Sequence, residues 1–157
     1  MDGSTSEGRA KANDELLLSV PQTRKMLEWI SDRRRAYRSQ GLDLNYSCEG
    51  WLPFSIDSRV RSRPFFCRAG INIASILCDG TITGCSNNSS RFFEGNIIED
   101  SFAYVWRNGF EQFRNRDWLK STRCGSCRHV KECRGSSIHL WRENPRRPEF
   151  CYMDCYA

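Results

Sequence analysis

Three cysteines near the end of the chain, Cys124, Cys127 and Cys133, stand in the pattern C-x2-C-x5-C. Two thiols separated by two residues fold around one metal centre as a knuckle, and the third adds a ligand on the same face. Thiolates at this spacing select Zn²⁺ or an iron–sulfur cluster. A fourth ligand has to come from elsewhere, and Cys151 and Cys155 lie downstream. The pattern therefore predicts that the end of the chain folds around a metal.

The cysteine count supports metal binding. Nine cysteines among 157 residues are an odd number, so a complete set of internal disulfides is impossible. Residues 1–15 are polar and lack the apolar core of an export signal, which favours a cytoplasmic protein with reduced thiols. A disulfide-stapled interaction domain and incidental core thiols are the alternatives to metal binding.

Charge says less about function. The net charge is +5, with arginine clusters at 33–35, at 59–63 and at 146–147. Such clusters are ordinarily solvated surface; the alternative is a patch for an acidic peptide or nucleic acid. The sequence has no RNA-recognition or helix-turn-helix pattern, so we do not expect nucleic acid as the partner. It also has no apolar run of about 18 residues, so we expect no membrane span.

The first third of the chain reads as a helix followed by a strand. We expect a flexible leader at 1–18, then a helix with a capping box at Ser19 and Gln22 that ends at Gly41. Alternating apolar and polar residues at 42–46 predict a strand. Residues 48–66 have no clear period, so we expect an irregular connection there.

The middle of the chain predicts a hairpin and a second helix. Residues 71–77 and 81–83 read as two strands joined by a turn at Asp79-Gly80. Gly95-Asn96 marks another turn. Asp100 or Ser101 caps the helix. Because the turn accounts for Asp79 and the cap accounts for Asp100, neither residue suggests an acid–base role. The helix has a largely aromatic core face: Phe102, Val105, Trp106, Phe110 and Phe113.

The cysteines form two groups that together resemble a known family. Cys67 is followed by twelve residues, Gly80, four residues and Cys85; the second group is Cys124, Cys127 and Cys133, with Cys151 last. This arrangement resembles the SPASM domain, the C-terminal auxiliary iron–sulfur domain of many radical S-adenosylmethionine (radical SAM) enzymes. The likeness covers about residues 65–155.

The resemblance implies an α+β fold in two parts. Residues 19–64 would be the end of a partial TIM barrel, a helix plus a strand, together with a linker. Residues 65–157 would be the SPASM domain, with a β-hairpin, a short helix and a cysteine-rich metal-binding tail.

The resemblance also implies two 4Fe–4S clusters. The tail cluster would take Cys124, Cys127, Cys133 and Cys151, a complete set, with Cys155 as the other downstream thiol. The hairpin cluster would take Cys67, Cys85, the residue at 137 and one more thiol, but position 137 is serine. Cys78 could supply one ligand, and Cys48, His139 or Cys155 could complete the set. We therefore expect one cluster and leave the second open.

The sequence lacks one motif of the complete enzymes. No spacing of its cysteines gives C-x3-C-x2-C, which holds the cluster that cleaves S-adenosylmethionine. We therefore expect the C-terminal part of a radical SAM enzyme of the peptide-maturase type, inactive alone, with S-adenosylmethionine bound only by the full-length enzyme. Its partners would be a ribosomal peptide substrate and the missing barrel portion.

One alternative belongs to another class of protein. It is a zinc-ribbon-like module that binds Zn²⁺ and contacts nucleic acid or an acidic protein partner.

Overall fold

The computed structural model describes residues 17–47, 50–142 and 144–156. These residues form two compact units, one of 17–66 with 150–156 and the other of 67–149. All but the end of the predicted leader, and also Cys48, lie outside the described residues. The predicted domain boundaries at 18/19 and 64/65 stay predictions.

The first unit begins with the predicted helix. Helix α1 spans Val20–Ser39, and Ser19 and Gln22 form the expected capping box, each side chain accepting from the other's backbone N–H. Gly41 follows with φ of +81°, a left-handed conformation that suits glycine. The buried face of α1 carries Thr23, Leu27 and Ile30. The helix prediction is confirmed at both ends.

The strand predicted at 42–46 is wrong. These residues are extended but pair with no strand among the described residues. Their polar backbone groups are satisfied in another way: Arg34 donates to the Leu44 carbonyl at 2.7 Å, and the Tyr46 N–H donates to the Val60 carbonyl at 2.8 Å. Alternation of apolar residues alone did not distinguish a strand from this side-chain-braced loop.

The predicted irregular connection contains a helix. Helix α2 spans Phe54–Val60, with Pro53 at its N-cap. Its Asp57 forms a buried ion pair with Arg61. Arg61 also donates to the carbonyls of Ser47 at 2.9 Å and Gly50 at 2.8 Å. One guanidinium thereby ties α2 to the preceding loop.

The second unit contains a three-stranded antiparallel sheet. Strands β1 (Ser75–Ile76), β2 (Thr81–Thr83) and β3 (Phe93–Asn96) lie in that order. The predicted turn at Asp79-Gly80 is confirmed, with Gly80 at φ +85°. The first strand is shorter than predicted because amides 71–73 bond back to the Arg68 carbonyl. Gly95-Asn96 ends β3, and the predicted turn follows directly, with the Glu99 N–H donating to the Asn96 carbonyl at 3.0 Å.

The predicted second helix is two helices. Helix α3 spans Phe102–Asn108 after an N-cap at Ser101, and α4 spans Glu111–Arg114. The chain breaks at Phe110, which has φ of +65° and donates its N–H to the Glu94 carboxylate at 2.8 Å. The break turns the Phe110 and Phe113 rings fully inward, while Phe102 stays partly exposed.

The tail of the second unit is built from short turns. Two 3₁₀ turns span Asp117–Ser121 and Arg123–Ser126, helix α5 spans Val130–Cys133, and a further 3₁₀ turn spans Ile138–Leu140. Over the described residues the fold class is α+β, as predicted. The described elements are five α-helices, several 3₁₀ turns and one small sheet. The barrel remnant stays an inference from resemblance.

A largely aromatic core holds the second unit together. The buried side chains that pack together are Ala69, Ile82, Phe92, Val105, Phe110, Phe113, Leu119, Ile138 and Trp141. Phe92 meets Phe113 at a ring-centroid distance of 5.6 Å, and Trp118 meets Trp141 edge-on at 4.8 Å. The prediction of a core stripe is confirmed for Val105, Trp106, Phe110 and Phe113 and wrong for Phe102, which is 39% exposed. The strands and the tail supply the other members of the core.

The Asp57–Arg61 pair gives a stability prediction. Asp57→Ala leaves a buried guanidinium without its counter-charge, which should lower the free energy of unfolding by about 3–5 kcal/mol. Urea denaturation followed by circular dichroism measures this change.

The matched control is Asp43→Ala in the same unit. Asp43 pairs with Arg38 at 3.3 Å on the exposed surface. Because water screens such a pair, this variant should unfold at almost the wild-type urea concentration. Equal loss of stability in the two variants would contradict a special role for the buried pair.

Candidate metal centre

The structure describes eight of the nine cysteines, and none of these eight is in a disulfide in the described part of the chain. Cys78 is exposed and Cys155 is buried. The others are half-buried: Cys67, Cys85, Cys124, Cys127, Cys133 and Cys151. A disulfide-stapled fold therefore has no support in this part of the chain. Half-buried thiols carried on turns are a donor set that soft metals accept.

The C-x2-C segment folds as a knuckle. The Cys127 N–H donates to the Cys124 carbonyl at 3.0 Å, and the Cys124 N–H donates to the Thr122 hydroxyl at 3.1 Å. Any side chain at Gly125 would collide with the Lys120 carbonyl. This position therefore requires glycine, which lets the two turns approach closely. The local geometry agrees with the sequence interpretation.

Thiols of both cysteine groups lie against the same core. Cys67, Cys85 and Cys124 all pack on the aromatic cluster of the second unit. Cys85 follows Gly84, where a Cβ would meet the Phe113 ring. The fold therefore brings the hairpin group and the tail group to one region of the domain, although they are distant in sequence.

A strained turn follows Cys133. Arg134, Gly135 and Ser136 have φ values of +50°, +77° and +62°, three consecutive left-handed residues. Such conformations are unfavourable for residues other than glycine and persist where surrounding contacts fix them. The turn ends at Ser137, whose exposure is 2%. It thereby sets the path between Cys133 and the position where the family pattern has its next cysteine.

Arg116 lies beside two of the candidate thiols. Its Nη1 donates to the carbonyl oxygens of Arg134 at 2.8 Å and Ser136 at 3.3 Å. Burial lowers the pKa of Arg116, while the charge of Cys67, a hydrogen bond with that thiol and the charge of Cys133 act in the opposite direction. The guanidinium thus interacts electrostatically with one thiol of the hairpin group and with one of the tail group.

Polar atoms in the segment 88–91, which follows Cys85 in the chain, are candidates for contact with a bound inorganic group. Within the part of the chain that the structure describes, Asn88 Oδ1, Ser89 Oγ and Arg91 Nη1 are buried without a hydrogen-bond partner. Ser89 and Arg91 carry N–H or O–H donors, which suit the sulfur atoms of a cluster. Buried donors in this state are unfavourable unless something accepts from them. The orphaned donors and the thiol chemistry therefore fit an iron–sulfur cluster.

The described side chains are not gathered into a finished metal site. No three of their His, Cys, Asp and Glu side chains are arranged to hold one metal ion. Cys151 lies in the first unit, whereas Cys124, Cys127 and Cys133 lie in the second. The ligand sets given above therefore stay predictions from spacing and resemblance.

The other candidate ligands differ in their surroundings. His129 Nε2 accepts a hydrogen bond from Arg128 Nε at 3.0 Å, so this nitrogen has a partner that is not a metal. His139 lies half-buried in the 3₁₀ turn Ile138–Leu140. Burial raises the pKa of the Cys155 thiol to about 11, with Arg24 acting in the opposite direction. A thiol held protonated is a poorer metal ligand than the half-buried Cys151.

Two further features of the chain, a cleft in the first unit and the basic clusters, contain no cysteine. A cleft of about 320 Å³ in the first unit is lined by residues 45–47 and 61–66. In the basic clusters, Arg34 and Arg61 use their guanidinium groups to bind backbone carbonyls. These two arginines are structural, which reduces the charge available for an acidic partner.

Sequence reasoning missed Arg116 and Arg91. The chain is rich in arginine, and an isolated arginine in an irregular segment gives no local signal of a buried role. The sequence analysis also missed the left-handed run at 134–136, because only Gly135 among its residues commonly adopts this conformation.

No described helix has the length and apolar character that crossing a bilayer requires.

Comparison with known families agrees with the geometry. Residues 67–134 match the SPASM family, described as an iron-sulfur cluster-binding domain. Residues 67–134 are therefore similar to a SPASM domain, and the iron–sulfur chemistry that the family description names concerns this segment. The match ends before Ser137 and Cys151. No curated protein and no solved structure gave a match.

The thiol surroundings predict an order of alkylation in the metal-free chain. Iodoacetamide at pH 8 should modify the exposed Cys78 first and Cys155 last, because only the thiolate reacts. The rate at Cys155 should keep rising up to about pH 11. Peptide mass spectrometry measures both rates. A Cys155 rate equal to that of Cys78 at pH 8, or one that levels off by about pH 9, would contradict the assignment.

Proposed function

We propose that this chain is the cluster-binding C-terminal part of a radical SAM enzyme of the peptide-maturase type. Its SPASM segment would hold a 4Fe–4S cluster on Cys124, Cys127, Cys133 and Cys151. The observation that carries the proposal is the SPASM match over residues 67–134, the segment with the C-x2-C-x5-C thiols. The enzyme class and the peptide substrate follow from the family resemblance; the cytoplasmic location does not depend on it and is proposed separately.

The tail thiols support the first cluster. Cys124 and Cys127 lie on a tight knuckle and Cys133 ends α5, so three ligands come from one short, braced segment. Four thiolates are the usual ligation of such a cluster. By resemblance Cys151 supplies the fourth, and its half-buried state suits a ligand better than the buried Cys155.

The hairpin group supports a second, incomplete site. Cys67 and Cys85 pack on the common core, and Ser137 replaces the third thiolate. Cys78 is exposed at the hairpin turn, so its thiol is accessible as a further ligand. The unpaired donors Ser89 Oγ and Arg91 Nη1 would hydrogen-bond to sulfur and stabilise a cluster near Cys85.

A bound cluster would supply electron transfer, and in this chain it would also stabilise the fold. The tail consists of short turns and contains no long helix or strand among the described residues. Small elements of this kind gain stability from metal binding, because part of the binding free energy is folding free energy. We therefore infer that the structural role dominates in this chain alone.

Reconstitution tests the proposal directly. The chain, reconstituted anaerobically with iron and sulfide, should bind about four irons for the tail cluster and about eight if the hairpin cluster also forms. Binding of about one zinc with no iron would favour the zinc-ribbon alternative.

The variant Cys127→Ala should lose the tail cluster. The expected result is a loss of about four irons per chain, with a lower melting temperature, since one of four thiolates is gone. Iron and sulfide analysis with thermal unfolding measures both. Cys78→Ala, which changes an exposed thiol outside the tail, is the control and should keep the tail iron. A fully folded Cys127→Ala chain with unchanged iron would show that the tail assignment is wrong.

The variant Ser137→Cys should strengthen the hairpin cluster. Restoring the family's thiol at this buried position should add iron, up to about four atoms per chain. The matched control is Ser136→Cys, which places a thiol one residue earlier on the strained turn and should add none. Equal iron in both variants and in the wild type would contradict the placement of Ser137 as a ligand position.

A further inference from the structure

Arg116 has contacts that a surface arginine does not need. Its Nε donates to the Phe113 carbonyl at 3.0 Å, and its Nη1 binds the carbonyls of Arg134 and Ser136. The Cys67 thiol also interacts electrostatically with this guanidinium. One side chain therefore ties α4 to the turn after Cys133.

The left-handed turn depends on this bracing. The Gly135 carbonyl accepts from Trp141 Nε1 at 2.7 Å, and Arg116 binds the carbonyls on either side of it. All three carbonyls of the turn are thus held by two side chains. Since left-handed residues other than glycine are unfavourable, the turn should persist only while these donors hold it.

The turn lies between two positions of the proposed metal centre, so the side chains that hold the turn also affect these positions. It begins after Cys133, a tail ligand, and ends at Ser137, the hairpin position. We propose that Arg116 is a positioning residue that holds the turn between Cys133 and residue 137 against α4 and places a cation at the carbonyl directly after Cys133. The part that concerns bound clusters rests on the proposed function.

The cation should affect a cluster in a defined direction. Hydrogen bonds to sulfur and nearby positive charge stabilise the reduced state, which carries one more negative charge. Arg116→Gln removes both effects, so the reduction potential should shift to a more negative value. Arg116→Lys keeps the charge but not the planar fork, so it should restore part of the potential while leaving the turn less well held.

Arg114 provides a matched control. It also donates to three carbonyls: those of Gly70 at 3.0 Å, Gly109 at 3.2 Å and Trp106 at 2.6 Å. Its guanidinium lies over the Trp106 and Phe110 rings instead of beside cysteines. Arg114→Gln and Arg114→Lys therefore remove comparable backbone contacts without removing the cation beside the thiols.

The experiment compares these four variants with the wild type in two states. In the metal-free chain, hydrogen–deuterium exchange of residues 133–138 should be about tenfold faster in both Arg116 variants and unchanged in the Arg114 variants. After reconstitution, the potential should shift negatively in Arg116→Gln and recover in part in Arg116→Lys. Arg114→Gln should keep the wild-type potential.

The outcomes separate the inference from the proposed function. If the wild type takes up no iron, the proposed function fails and the role of the cation beside a cluster fails with it, while the exchange comparison still decides the positioning role. If iron binds but Arg114→Gln and Arg116→Gln shift the potential equally, Arg116 is an ordinary structural residue and the proposal is overturned. Unchanged exchange in Arg116→Lys would overturn the positioning role.

Discussion

The packing of aromatic rings in the second unit is the interaction on which the thiol-bearing turns depend. The strands of the second unit are two to four residues long and its tail is made of short turns. The backbone hydrogen bonds of helices and strands therefore cannot hold the unit together alone. Phe92, Phe113 and Trp141 are completely buried, and Cys67 and Cys85 lie against the cluster they form. Burial of such rings is the largest favourable contribution that a unit of this size can make.

Arginine provides the second kind of support. Arg61 in the first unit, and Arg114 and Arg116 in the second, each bind several backbone carbonyls that no helix or strand satisfies. A planar guanidinium with five donors is well suited to this task, because buried carbonyls without partners would be unfavourable. These three arginines therefore brace loops and do not contribute to a binding surface.

The sequence predicted the features that depend on local chemistry. The capping box at Ser19, the Asp79-Gly80 turn and the knuckle at Cys124 each follow from a few neighbouring residues. Features set by distant contacts were not predicted. The helix break at Phe110 depends on Glu94, sixteen residues earlier, and the loop at 42–46 depends on Arg34. The strained turn after Cys133 depends on Arg116 in the same way.

The segment that matches the SPASM family carries its thiols on braced turns around one core, and we propose that these thiols hold iron and sulfide. The most direct measurement is the Mössbauer spectrum and metal content of the chain purified anaerobically from cells grown with ⁵⁷Fe, without reconstitution. We predict a 4Fe–4S signal, with iron and sulfide in equal amounts and little zinc. Stoichiometric zinc with no cluster signal would contradict the account.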